Sequence, residues 1–434
     1  MKVNIILPDK VKYIINKLNK CGYEAYAVGG CVRDSILGRG INDWDITTNA
    51  KPENVVKIFK RTIKTGIKHG TITVIIDKES FEITTFRVDG EYYDNRHPND
   101  VIFVSDIKED LARRDFTINA MAYNEESGLI DCFSGLDDLQ RKVIKSVGDP
   151  KERFKEDALR IMRGIRFASQ LGFEIDSDTV MAMKKLSSTI KNISIERIVI
   201  EFNKILLADS SYVNNLESYG LLQVFLPEVS ECKGKLINRN NEEFDMFDYL
   251  IYCLNSIENK IHLKLTILFM NLKITEITKE RDNIDSLSDK AIKILKRLKY
   301  DNKTISKVSS LVKYNNVEIK DKKSLKEMLN VIGIDLFYDL LKIKEAETLL
   351  GDNECIILKK KKLEKVNKLL DEVIRNKECY SIGDLKINGT DLKSIGINNG
   401  KTIGTILNKL LDEVLNKPEL NEKDKLIAIA KKYC

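Results

Sequence analysis

The stretch AVGGCVRDSILGRGINDWDITT, Ala27–Thr48, decides how the chain is read. A short apolar run, AYAV, ends in Gly29 and Gly30 and passes into residues that suit a helix. Glycine lets backbone N–H groups approach an anion, and a helix N-terminus adds partial positive charge. Strand, glycine turn and helix start together make a cradle for phosphate. Beyond the turn stand Asp43 and Asp45, separated by Trp44, the only tryptophan. Read as a strand, DWDITT puts both carboxylates on one face and Trp44 on the other. Two like charges on one edge repel unless a cation lies between them, and Mg²⁺ favours one or two carboxylates together with nucleotide phosphates. Asp43 and Asp45 are therefore candidate metal ligands and catalytic groups. Arg33, three residues past the turn, is placed either to neutralise a triphosphate or to pair with Asp34.

Working outward, 434 residues exceed what one core usually holds, so two to four domains are expected. A hydrophobic fraction of 43% fits a soluble globular chain. Eight cysteines without a CxxC pair fit a reducing cytoplasm better than a disulfide framework or a zinc site. The first twenty residues read as an amphipathic helix, not a signal peptide, and no charge-free stretch reaches membrane-spanning length. Net charge is +6, a mild excess that permits a polyanionic partner without requiring one. Strand-like runs (EAYAV, DWDITT, TITVIID, FEITTF) alternate with a helical one (PENVVKIFKR) over about the first 140 residues. The remainder has helical spacing: DALRIMRGIRFASQL, SIERIVIEFNKILL, HLKLTILFMNL, AIKILKRLKY, SLKEMLNVIG and KKLEKVNKLLDEVIRN. Breaks between helical blocks are expected at Asn238–Asn241 and Asn388–Gly400. The run Lys359–Lys362 reads as a solvated helix face, with a phosphate-contacting patch as the alternative.

The pattern GG-x-V-R-D-x-x-L-G-x(4)-D-x-D resembles the signature of the polymerase β nucleotidyltransferase superfamily. More narrowly, it resembles the class II tRNA nucleotidyltransferases, the CCA-adding enzymes, and their poly(A) polymerase relatives. Further blocks follow in the family's order: LARRDFTINAMAY (Leu111–Tyr123), DCFSGLDDLQRKVIKSVGDP (Asp131–Pro150), EDALRIMRGIRFA (Glu156–Ala168) and SIERIVIEFNKIL (Ser194–Leu206). The resemblance is strong over residues 20–210 and diffuse beyond, apart from a tail-like segment, INGTDLKSIGINNGKTIGTILNKLLDEVL. It implies an α+β fold: a small mixed-sheet nucleotidyltransferase head over 1–140, then an all-helical neck (141–210), body (211–340) and tail (341–434). The head would carry catalysis, the neck nucleotide selection, and body and tail tRNA binding.

The implied activity is addition of CCA to the 3′ end of tRNA from CTP and ATP, with Mg²⁺ and release of pyrophosphate, in the cytoplasm. Neither a membrane nor an obligatory protein partner is expected. The alternatives are a poly(A) polymerase, a CC- or A-adding enzyme and, more remotely, a non-catalytic RNA-binding protein. The nucleotide would meet Gly30, Arg33, Arg114, Asp157, Arg160, Arg163 and Arg166, with Asp115 and Asn119 as partners of ribose hydroxyls and Glu82 as a candidate third carboxylate. Residues three apart on a helix are neighbours, so Asp157 and Arg160 would present a carboxylate beside a guanidinium. Cytosine and adenine both offer an exocyclic amino donor beside a ring-nitrogen acceptor, and that pair complements the pattern; uracil and guanine reverse it. The alternative for the pair is an intrahelical salt bridge. The role of Arg166 rests on the resemblance. The polar, aromatic-spiked segment Val88–Phe103 corresponds to a flexible loop needed for the switch to adding A. His97 within it reads as solvated, and His69 and His262 as structural.

Overall fold

The computed structural model describes residues 3–41, 43–90, 101–239, 241–272 and 284–433. The chain divides into two compact units, Met1–Pro227 and Glu228–Cys434.

In the first unit, helix α1 (Asp9–Lys20) starts directly after Pro8, with Asp9 in its first turn and Lys17 and Lys20 in its last, the charge order a helix dipole favours. It buries Val11, Ile14, Ile15 and Leu18, the one-face spacing of an amphipathic helix. Each such side chain contributes up to ~1.5–3 kcal/mol by leaving water. Strand β1 (Ala25–Val28) follows and is buried at all four positions. After it come α2 (Gly30–Ile36), β2 (Ile46–Thr48), α3 (Pro52–Ile58), β3 (Thr62–Gly66), β4 (Thr71–Ile76) and β5 (Glu79–Thr85). A hairpin of β6 (Arg87–Asp89) and β7 (Val101–Phe103), helix α4 (Ile107–Ala112), and strands β8 (Met121–Asn124) and β9 (Gly128–Asp131) complete the sheet region.

Seven strands lie in the order β3-β4-β5-β2-β1-β8-β9. Neighbours are antiparallel except β2 with β5, which pair in parallel as Ile46↔Ile83, Thr47↔Thr84 and Thr48↔Thr85. The sheet is therefore mixed, as expected. Tyr26, Val28, Phe86, Ile107, Leu111, Ala120, Ala122 and Val147 form one buried cluster of this region. The ends of the segment Val88–Phe103 are strands, with Val88 opposite Ile102 and Arg87 opposite Phe103. His97 and the rest of 91–100 lie outside the described residues.

Helices then take over: α5 (Gly135–Gln140), α6 (Pro150–Glu156), α7 (Leu159–Leu171), α8 (Ser177–Leu186) and α9 (Ile195–Ala208), with two short parallel strands, β10 (Val143–Ile144) and β11 (Glu174–Ile175). Gly164 on α7 lets Phe116 lie against the helix: a Cβ there would sit 2.9 Å from the ring. The sequence pattern reads one continuous helix through DALRIMRG, but the structure breaks it at Asp157. Asp157 is extended (φ −135°, ψ 104°), and its carboxylate caps the next helix by accepting from Leu159 N at 2.9 Å. A short acid that satisfies a free N–H ends one helix and starts another.

Among its described residues the second unit is helical apart from a hairpin, Leu236–Arg239 with Glu242–Asp245. Its longest helix, Asn353–Arg375, carries Lys359–Lys362, all exposed, as read from the pattern. The last helices pack around Leu392, Leu410, Leu411, Val414 and Leu426. No helix among the described residues is long and apolar enough to cross a membrane.

Candidate active site

The glycine turn forms where β1 ends. Gly29 has φ 83° and ψ −130°, open in practice only to glycine, and α2 starts at the next residue. A Cβ on Gly29 would lie 3.0 Å from Arg114 Nη1, and one on Gly30 would lie 3.7 Å from Arg33 Nη2. Two guanidiniums thus stand against the turn. Arg33 and Arg114 come from opposite ends of the head sequence, so the sheet brings together what the sequence only lists.

The expected strand DWDITT is shorter than its pattern. Only Ile46–Thr48 are strand, and Asp43, Trp44 and Asp45 precede it in irregular backbone. The cause lies in β1, which turns away at Gly29 and leaves nothing for Asp43 to pair with. One ladder bond remains, from Val28 N to the Asp45 carbonyl at 3.0 Å. The two aspartates are exposed and Trp44 is partly buried. Crowding by protein pushes the Asp45 carboxyl above the usual carboxylate range; Arg114 opposes this and the Asp43 charge adds to it. Among the described residues neither carboxylate is taken up by a hydrogen bond or an ion pair. Glu82 on β5 is one residue before Ile83, which pairs with Ile46, the residue after Asp45. Among the described residues, however, no three His, Cys, Asp or Glu side chains group as a metal site. Two open carboxylates fit a hard divalent cation that keeps water and phosphate oxygens as its other ligands.

Behind the turn a buried polar chain links head to neck. Arg33 pairs bidentately with Asp34 (3.0 and 2.8 Å), realising that alternative, and also donates from Nη1 to Asn119 Oδ1 at 2.6 Å. Asn119 donates to Asp115 at 3.2 Å, and Asp115 accepts from Arg163 at 2.6 and 2.8 Å. Burial alone would raise the Asp115 pKa, but Arg163, Asn119 and Arg160 hold it far below the usual range. The charge of Asp115 in turn raises that of Arg163. Arg166 is buried and pairs with Glu201 of α9. Arg114 pairs with Asp110 at 3.3 Å, while its Nε is buried without a hydrogen-bond partner. Asp110 is fully buried, and it also accepts from Arg113 (2.7 Å) and from the Thr47 hydroxyl (3.3 Å). Burial would raise its pKa, and the two arginines outweigh that and lower it.

The pair expected on one helix face is not a pair. Because the helix breaks at Asp157, Asp157 and Arg160 hold different partners. Asp157 Oδ2 accepts from Arg197 of α9 at 3.1 Å. Arg160 donates to Glu156 at 2.6 Å, to the Arg153 carbonyl at 3.1 Å and to the Arg113 carbonyl at 2.9 Å. The intrahelical bridge Asp157–Arg160 is therefore absent, and three of the five guanidinium donors of Arg160 are engaged.

Sequence reasoning passed over Asp110, Glu156, Phe167, Arg197 and Glu201. Asp110 and Glu156 had a signal, since each precedes its arginine by three or four residues. Phe167, Arg197 and Glu201 had none, because their contacts depend on how α7 packs on α2 and α9.

A mixed sheet with two open carboxylates beside an arginine-flanked glycine turn defines a nucleotidyltransferase. Residues 25–145 match the family model described as "Poly A polymerase head domain", and residues 282–430 match a tRNA nucleotidyltransferase domain. The CCA-adding enzyme of Ligilactobacillus salivarius is 36% identical over 98% of this chain and 97% of its own length. That of Pediococcus pentosaceus is 34% identical over 95% of each. The Bacillus stearothermophilus CCA-adding enzyme, solved in complex with CTP, is 28% identical and superposes with a TM-score of 0.74 over 98% of both chains. The chain belongs to the CCA-adding enzyme family.

Proposed function

We propose that Asp43 and Asp45 hold Mg²⁺ and that the site adds C, C and A, without a template, to the 3′ end of tRNA from CTP and ATP. The observation that supports this reading is the open carboxylate pair beside a turn flanked by Arg33 and Arg114. When bound, the ion would neutralise charge at the reacting phosphate. The chain's own groups do the rest. The Gly29 N–H is taken by the Met121 carbonyl at 3.1 Å, so the open N–H groups at the start of α2, from Gly30 on, face the triphosphate, and Arg33 and Arg114 balance its charge. The buried, unpartnered Nε of Arg114 is a donor in want of an acceptor.

Asp157 and Arg160 read the base edge in this proposal, as acceptor and donor, held by separate partners. An ionised carboxylate has about four acceptor sites. Asp157 uses one oxygen for Leu159 N and the other for Arg197, so it can still accept from an amino group. Arg163 and Arg166 extend the positive wall. We divide the chain into head (1–140), neck (141–210), body (211–340) and tail (341–434), the body crossing the boundary of the two units after Pro227, with body and tail binding tRNA. We place the reaction in the cytoplasm, where the free thiols at Cys21 and Cys132 stay reduced.

The test is incubation with tRNA lacking its terminal CCA and each nucleoside triphosphate, singly and in mixtures, followed by product sequencing. CTP alone should give CC, and CTP with ATP should give CCA. A run of A points instead to a poly(A) polymerase, and no transfer by folded protein with Mg²⁺ refutes the assignment.

A further inference from the structure

Phe167 of α7 is 5% exposed, and its ring meets Phe116 edge-on at 5.8 Å. Three guanidiniums lie over this one ring: Arg166 at 3.8 Å from the centroid, Arg33 at 5.1 Å and Arg163 at 5.4 Å. Arg33 comes from α2 just behind the glycine turn, and the other two come from α7. Three cations this close repel one another. Each has its own carboxylate: Asp34 for Arg33, Asp115 for Arg163 and Glu201 for Arg166. The negative face of the ring is the one attraction all three share.

The three carboxylates are not equivalent. Asp115 and Glu201 are buried, whereas the side chain of Asp34 keeps 21% of its exposure. An incoming triphosphate therefore displaces Asp34 from Arg33 more readily than it displaces the buried pair. We propose that Phe167 is an aromatic platform that gathers Arg33, Arg163 and Arg166 into one receptor for the nucleotide triphosphate. It acts as a positioning residue, since it touches the arginines and not the substrate. It holds Arg33 by its stack while that arginine exchanges Asp34 for phosphate. The inference rests on the reading of these arginines as nucleotide contacts.

The test measures CTP and ATP affinity, KM and kcat in Phe167→Leu, Phe167→Met and Phe167→Tyr. Leu and Met fill much of the ring's space without a π face, and Tyr keeps the face. Leu and Met should weaken CTP and ATP alike by about tenfold, chiefly in KM, and Tyr should restore binding to within about twofold. Preference for CTP over UTP should not move, because Arg160 is not among the arginines over the ring. Wild-type affinity in Leu or Met overturns the platform. Equal weakening by Leu, Met and Tyr also overturns it, since that pattern is a packing defect. The parent reading is tested separately by Arg33→Gln and Arg163→Gln: if both keep normal CTP affinity, the arginines are not nucleotide contacts and the platform falls with them. If they lose affinity while Phe167→Leu and Phe167→Met do not, only the platform falls.

Discussion

Replacing Gly29 with alanine separates two jobs done by one residue. At φ 83° and ψ −130° an L side chain is strained, at about 2 kcal/mol for a region that is essentially glycine-only. That loss should lower the melting midpoint by about 4–8 °C. The new Cβ would also lie 3.0 Å from Arg114 Nη1. The guanidinium is the far end of a flexible side chain, so moving it costs little stability, but it leaves its place against the turn. A charge-assisted hydrogen bond contributes about 1.5–3 kcal/mol, so CTP and ATP should bind roughly ten- to a hundredfold more weakly. Gly30→Ala is the control. Its Cβ would meet Arg33 Nη2 at an ordinary 3.7 Å, its φ is not in the left-handed region, and alanine suits a helix start at least as well. It should keep both stability and affinity. Calorimetric melting and isothermal titration with CTP measure the two effects. If the two alanine variants behave alike, the argument from backbone conformation and Arg114 contact is wrong.

Asp43→Ala and Asp45→Ala should each cut transfer by roughly 10²–10⁴ while circular dichroism and tRNA binding stay near normal; near-normal turnover with Mg²⁺ would remove the metal assignment. Asp157→Asn should keep an oxygen to cap Leu159 but lose the ionised acceptor, so UTP and GTP enter measurably while CTP and ATP slow. Single-turnover incorporation of all four nucleotides reads this, and unchanged discrimination places base choice elsewhere. Asp110 and Asp115 sit below the usual carboxylate range, so the stability they contribute is present above pH ~4 and is lost as pH falls toward their lower folded-state values. Asp115→Asn should cost ~2–4 kcal/mol at pH 7, toward the low side because Arg163 keeps 35% of its exposure, and should flatten the acid limb of the stability curve; an unchanged limb would deny Asp115 that role.

The fold class was legible because its signals are local. AYAV before two glycines, TITVIID and FEITTF have strand composition, and the later Leu/Ile/Lys spacing is helical whatever packs against it. The carboxylate pair was legible for the same reason, although the strand meant to carry it starts only at Ile46. The arrangement of Asp157 and Arg160 was not legible. The helical pattern runs unbroken through Asp157, and nothing in it says that this carboxylate caps Leu159 and reaches Arg197, forty residues on. The partners of Arg33, Arg163 and Arg166 likewise depend on α2, α7 and α9 meeting around Phe167. Spacing within a helix finds Asp110 and Glu156; it cannot find Glu201.

The place of β1 inside the sheet, between β2 and β8, has a consequence for the chain as it is made. Its two neighbours arrive at different times: β2 follows within about twenty residues, while β8, which pairs Val28 with Ala122, follows only after roughly ninety. At ~5–20 residues per second the interval of roughly seventy residues between the two arrivals lasts about 4–15 s. Throughout it, the nascent segment AYAV, with a single hydroxyl among four apolar residues, exposes one row of unpaired backbone groups. Such an edge recruits other chains. The head is thus most vulnerable to association before β8 closes that edge, and a ribosome paused ahead of Met121 would prolong that window.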